Sequence, residues 1–151
     1  MTSSNPRIPK QADGASPRWK AAIAALLLVS ASASQAQPAV PAQALNFAKG
    51  ASQGTATGKL QGPNSDVRDH VLRARAGQTM TVNLESASKS IYFNVLPPDS
   101  EEALYQGEIG GEPRWTGALP KDGMYRVRVY LNRAASRQRA AAQYTLRVGV
   151  E

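Results

Sequence analysis

Three arginines sit close together in "NRAASRQRAAA", residues 132–142: Arg133, Arg137 and Arg139. A guanidinium can grip a carboxylate through two parallel hydrogen bonds. Arg133 and Arg137 are four residues apart among Ala and Ser, so short neighbours leave both free to reach outward. Spacing alone favours a solvated basic loop. The energies separate the two cases: an exposed ion pair contributes about 0 to 1 kcal/mol, whereas a desolvated arginine at an interface centre contributes about 2 kcal/mol or more. The segment therefore matters if a partner buries it.

Other chemistries find little support. The chain has no cysteine and one histidine, His70, which shares the parity of Leu72 and Ala74 and reads as buried or at a strand end. No serine lies in a G-x-S-x-G turn. Glu101, Glu102, Glu108 and Glu112 could supply the carboxylate pair of a glycosidase, but they fall in turn-rich segments where solvated charges are expected. Asp66 and Asp69 in "NSDVRD" lack the glycine and distal glutamate of a calcium loop, and zinc would need clustered His and Cys. No catalytic residue, metal or cofactor is expected. Trp115 and Tyr105 read as core or strand-edge aromatics, with an exposed Trp115 stacking on a sugar as the alternative.

The elements that must position the arginines are strands. No stretch keeps a 3.6-residue period, and several alternate with period two between turn residues. In "DHVLRARAGQTMTVNLES", Leu72 and Ala74, then Met80, Val82 and Leu84, alternate with polar residues about Ala76-Gly77-Gln78, predicting a β-hairpin. "SIYFNVLPPDS" sets Ile91, Phe93 and Val95 against Tyr92, Asn94 and Leu96, with Phe93 expected inward and Pro97-Pro98 ending the strand. After a turn at Lys121-Asp122-Gly123, Tyr125, Val127, Val129 and Leu131 share one face, and Arg126, Arg128 and Tyr130 the other. The last strand turns Tyr144, Leu146, Val148 and Val150 inward. With a first strand near "GTATGKLQG", the expectation is an all-β protein, an antiparallel β-sandwich of about eight strands.

Arg7, Lys10, Arg18 and Lys20 precede the nine-residue apolar stretch Ala21–Val29 and the small residues of "SASASQA". That pattern is a secretory signal peptide, too short to span a bilayer, with cleavage expected after Ala36 and Ala33 as the second choice. The expected organisation is a signal at 1–36, a flexible arm at 37–46 rich in Ala, Pro and Gln, and one domain at 47–151. Without the signal, 18 basic and 11 acidic residues become 14 and 10, a net +4 instead of +7. Such a mild excess suits solubility and acidic partners; neither nucleic acid nor, once the signal is removed, a membrane is an expected partner. The absence of cysteine also removes a disulfide framework and a lipid anchor on Cys.

From about Phe47 to Val150 the chain resembles the periplasmic proteinaceous inhibitors of goose-type (g-type) lysozyme. The blocks that carry the resemblance are "ARAGQTMTVNLES", "SIYFNVLPPDS" and "GALPKDGMYRVRVYLNRAASRQRAAAQYTLRV". The specific parts are "YFNVLPP" and "YLNRAASRQ"; the rest is shared with wider β-sandwiches such as bacterial pre-peptidase C-terminal domains. The resemblance implies a non-enzymatic β-sandwich in the periplasm that inserts loops into the cleft of a g-type lysozyme. It assigns inhibitory contacts to Arg133 and Arg137, which match two arginines of the family's loop, and to Tyr92 and Asn94, which match its "YFN" strand. Ser136 belongs to the same loop, and His70 stands where relatives tend to carry tyrosine, so both join the expected contact set, His70 with a titration near 6.5 that would make inhibition depend on pH. The second reading is a secreted β-sandwich accessory or carbohydrate-binding module without the inhibitory loop.

Overall fold

The computed structural model describes residues 39–151; the expected signal peptide lies outside them. Nine strands and two short helical turns occur among the described residues: β1 (Ala42–Ala44), β2 (Gln53–Gln61), β3 (Val67–Ala74), β4 (Thr79–Glu85), β5 (Ile91–Leu96), β6 (Tyr105–Gln106), α1 (Gly107–Gly110), β7 (Arg114–Ala118), β8 (Gly123–Leu131), α2 (Arg133–Arg137) and β9 (Ala141–Val150). They form two facing sheets, ordered β1-β3-β8-β5-β6 and β2-β9-β4-β7. The alternation seen in the sequence becomes the sandwich interior. Leu72, Phe93, Val95, Tyr125, Val127 and Val129 from the first sheet meet Leu60, Met80, Val82, Leu84, Leu146 and Val148 from the second, all of them buried. Removing each such side chain from water stabilises the fold by about 1.5 to 3 kcal/mol.

The expected hairpin at 69–86 is not one. β3 pairs with β8 in the first sheet, while β4 pairs with β9 and β7 in the second. The reason lies in the turn, whose donors look across to another segment: Ala76 N–H donates to Asp122 Oδ1 at 2.8 Å and Gly77 N–H to Leu119 O at 2.9 Å. Tyr125 anchors that second segment, its hydroxyl donating to Lys121 O at 2.7 Å from the core. Period two reports which side of a strand is buried, and both members of a sandwich crossover bury a side just as a hairpin does.

The boundary of the expected arm also moves. Ala42–Ala44 pairs in parallel with Asp69–Val71, Leu45 is buried, and Phe47 lies over Gly54, where a Cβ would come within 2.6 Å of Phe47 Cδ1. This segment seals the sandwich along β3 and β2. Tyr105 and Trp115, with ring centroids 6.3 Å apart, pack beside the core along the opposite edge, between β6 and β7.

Three connections, 62–66, 86–90 and 132–140, cross between the sheets at one end of the sandwich. β8 and β9, which flank the arginine segment, lie in different sheets. The arginine segment bridges the two layers.

Candidate functional site

The segment expected as an open loop is a capped helical turn. Asn132 has extended backbone angles, and its Oδ1 accepts from Ala135 N–H at 2.9 Å, closing the N-terminal side. Alanines follow, the residues that resist helix formation least. At the other side Arg139 N–H donates to Ser136 O at 3.0 Å and Ala140 N–H to Ala135 O at 2.9 Å, while Arg139 takes a left-handed φ of 56°. This pair of bonds is a Schellman stop, with arginine where glycine is usual. Arg139, which carries no role in the sequence reading, thus ends the turn.

Residues four apart on a helical turn lie on one side of it. Arg133 and Arg137 are exposed, while Ala135 and Ser136 between them are buried at 5% and 6% exposure. Ala135 joins the core, and Ser136 Oγ donates to Asp66 Oδ2. Ser136 therefore faces the protein and not, as expected, outward to a partner: in the free protein its hydroxyl is already used beneath the turn.

Tyr92 lies on the outward face of β5 beside the same end. It is half-buried, opposite Tyr130 of β8 in register, with ring centroids 6.1 Å apart. Tyr130 leads through Leu131 and Asn132 into the arginine turn, and Asn132 N–H donates to Ser90 O at 2.8 Å, one residue before β5. Tyr92 also lines a cleft of about 390 Å³ between the 86–89 connection and Gly111–Pro113. Asn94, two residues further along β5, accepts from Gly107 N–H at 3.3 Å, and Gly107 must be small there because a Cβ would lie 2.6 Å from Phe93 O. Tyr92 is thus associated with the arginines, while Asn94 holds the neighbouring α1 turn.

His70 is on the other side of the sheet, fully enclosed at 0% exposure, with Nε2 2.8 Å from the Tyr144 hydroxyl and Nδ1 without a protein partner. Gly58 leaves space for that hydroxyl; a Cβ there would come within 2.5 Å of it. Burial first, and then the Arg68 charge, lowers the His70 pKa from 6.5 to about 4, against a smaller upward pull from Asp69. Two expectations meet one obstacle: in the free protein His70 is enclosed within the sandwich and not offered at its surface, and that burial holds its pKa well below 6.5. The parity argument that made it buried was the sound one.

Asp69 and Glu101 are both taken up by arginines. Arg128 donates to Asp69 Oδ1 at 2.7 Å through Nε and to Oδ2 at 2.9 Å through Nη2, while Glu101 sits 2.7 Å from Arg126 Nη2. Glu102, Glu108 and Glu112 are exposed. No cluster of three metal-ligating side chains occurs among the described residues. Trp115 is half-buried and packs against the core, with Gly117 beneath its ring, so its surface is not a free stacking platform.

Asp66, Gly62 and Tyr130 complete this end of the molecule, and nothing in the sequence pattern ties any of the three to the arginine turn. Only an asparagine preceding an alanine run hinted at the cap.

No family model and no curated protein matches the chain. Solved structures do. The structure of Aeromonas hydrophila PliG, a periplasmic lysozyme inhibitor of g-type lysozyme, is 34% identical over 74% of this chain and 97% of that one, with a TM-score of 0.68. PliG of Salmonella Typhimurium, at 20% identity and a TM-score of 0.60, covers 75% of this chain and all (100%) of its own, and shares the fold. A mutant of Escherichia coli PliG is similar at 20% identity and a TM-score of 0.59, over the same 75% and 100%. Identity and near-complete coverage of the Aeromonas protein, on a sandwich with this strand arrangement, place the chain in the PliG family of periplasmic inhibitors of g-type lysozyme.

Proposed function

We propose that this chain is a periplasmic inhibitor of g-type lysozyme that presents Arg133 and Arg137 to the lysozyme's substrate cleft. Its membership of the PliG family carries the reading. A glycosidase cleft must hold a carboxylic acid against the glycosidic oxygen and a second acidic group nearby, so two guanidiniums entering it meet acceptors and exclude the glycan. The capped turn supports this role, because it exposes both arginines from a backbone anchored at either end. Tyr92 and Tyr130 add a partly buried aromatic surface at the margin, the residue type enriched at interface centres. The inhibitor has no catalysis of its own; it protects peptidoglycan after export by a cleaved signal peptide.

The test is clearing of a bacterial cell-wall suspension by g-type, chicken-type and invertebrate-type lysozymes, each with the purified mature protein. Slowing of the g-type reaction alone is the expected result. Undiminished g-type clearing at micromolar protein would remove the proposal.

A further inference from the structure

Two arginines can act together only while the turn that carries them keeps one shape, and here that shape is held from below by a different connection. Asp66 accepts from the Ser136 hydroxyl through Oδ2, and its backbone oxygen accepts from Leu131 N–H at 2.9 Å. Asp66 thus grips the chain on both sides of Asn132. Gly62 N–H donates to Ala140 O at 3.4 Å, and the Gly62 Cα lies so close beneath the turn that a Cβ would overlap the Ser136 carbonyl and Cα. Backbone, not a flexible side-chain tip, occupies that space. Asp66 is half-buried, Gly62 is buried, and the partner atoms on Ser136 are buried too.

We propose that Asp66 and Gly62 are positioning residues for lysozyme binding: they form a seat that fixes the 132–140 turn, without themselves touching the lysozyme. This rests on the reading that Arg133 and Arg137 make the contact. The physical basis is preorganisation. An inhibitor whose competent conformation is only fractionally populated loses affinity by that fraction, so a seat whose removal leaves the turn correctly shaped a tenth of the time weakens inhibition about tenfold. The chemistry of the seat differs between its two members. Asp66 supplies an acceptor, which an amide oxygen can replace and a methyl cannot. Gly62 supplies an absence, which any side chain would fill.

The test compares inhibition constants against g-type lysozyme for the mature protein and for Arg133→Ala, Asp66→Ala, Asp66→Asn, Ser136→Ala and Gly62→Ala, with amide hydrogen exchange measured on each free protein. Asp66→Ala and Gly62→Ala should each weaken inhibition about tenfold, Asp66→Asn should stay within about twofold of the parent, and Asp66→Ala combined with Ser136→Ala should be no weaker than the worse single change. Exchange should accelerate at Ala135, Gln138 and Ala140 while Val127 and Leu146 stay protected. Full inhibition by Asp66→Ala or Gly62→Ala despite faster exchange in the turn would overturn the proposal. So would weaker inhibition with unchanged exchange, since the residue would then be a contact. If Arg133→Ala weakens inhibition and the seat variants do not, this inference alone fails; if Arg133→Ala is also without effect, the contact reading fails with it. Should Asp66→Ala not fold, Gly62→Ala, Ser136→Ala and Asp66→Asn decide the matter on the same two measurements.

Discussion

Arg128 and Asp69 face each other across the β3–β8 ladder and join through two parallel hydrogen bonds, at 2.7 and 2.9 Å. The Asp69 side chain is 6% exposed and that of Arg128 24%. Hydrogen bonding to Asp69 is the main reason the Arg128 pKa is raised, and Glu101 adds to it from the solvent side. Removing one partner strands a largely buried charge, so Asp69→Ala should cost about 3 kcal/mol in urea unfolding, the lower end of the range for broken buried pairs because Arg128 retains some water. A cost below about 1 kcal/mol would class the pair with solvated surface bridges.

Arg133→Ala and Arg137→Ala should each weaken lysozyme binding by about 2 kcal/mol or more and leave the melting temperature nearly unchanged, since both side chains are exposed in the free protein. Calorimetric titration together with thermal melts separates the two quantities. Parent-like affinity in both variants would return the arginines to the solvated surface.

His70 should make stability depend on pH. Its pKa is about 4 in the fold against 6.5 for a free imidazole, so between those values the unfolded chain binds the extra proton. The stabilisation is whole above pH 6.5, declines as pH falls, and is gone below about 4. The amount is about 3 kcal/mol. Burial of the ring sets it first, then the Arg68 charge, against a smaller opposing pull from Asp69; the Tyr144 hydroxyl on β9 is the polar group that faces the ring. Because carboxylates also titrate at the acid end, the diagnostic range is pH 6.5 to 5, where the slope seen in urea midpoints should disappear in His70→Phe. An identical slope in that variant would assign the dependence elsewhere.

Arg139 holds a left-handed conformation that costs a non-glycine residue about 1 kcal/mol. Arg139→Gly should therefore stabilise the protein by up to about 1 kcal/mol, less the greater freedom glycine gives the unfolded chain. Inhibition should be unchanged. A loss of inhibition with gained stability would show that the Arg139 guanidinium is a third contact.

Much of the sandwich was written in the alternation of single strands. The parity of Phe93, of Tyr125 through Leu131 and of Tyr144 through Val148 gave the buried faces correctly, because burial on one side is a local property. Which strands pair is not local. Ala76-Gly77-Gln78 reads the same as a hairpin turn or as a crossover, and the decision is taken by Asp122 and Leu119, more than 40 residues away. The candidate site divides likewise. Arg133 and Arg137 stood out by type and spacing, whereas Asp66 and Gly62 act through a contact spanning 70 residues between Asp66 and Ser136, for which no local pattern exists. Ser136 looked available because small polar residues in a loop usually are.

The gathering of the 62–66, 86–90 and 132–140 connections at one end of the sandwich separates inheritance of the fold from choice of target. On the proposal that the arginine turn meets the lysozyme, a lineage facing an altered lysozyme can rewrite the turn while leaving the sheet ladders as they are. The seat sets the limit of that freedom: a new turn must still rest on Gly62 and Asp66. An engineer transplanting residues 132–140 onto another sandwich would have to carry the 62–66 connection with them.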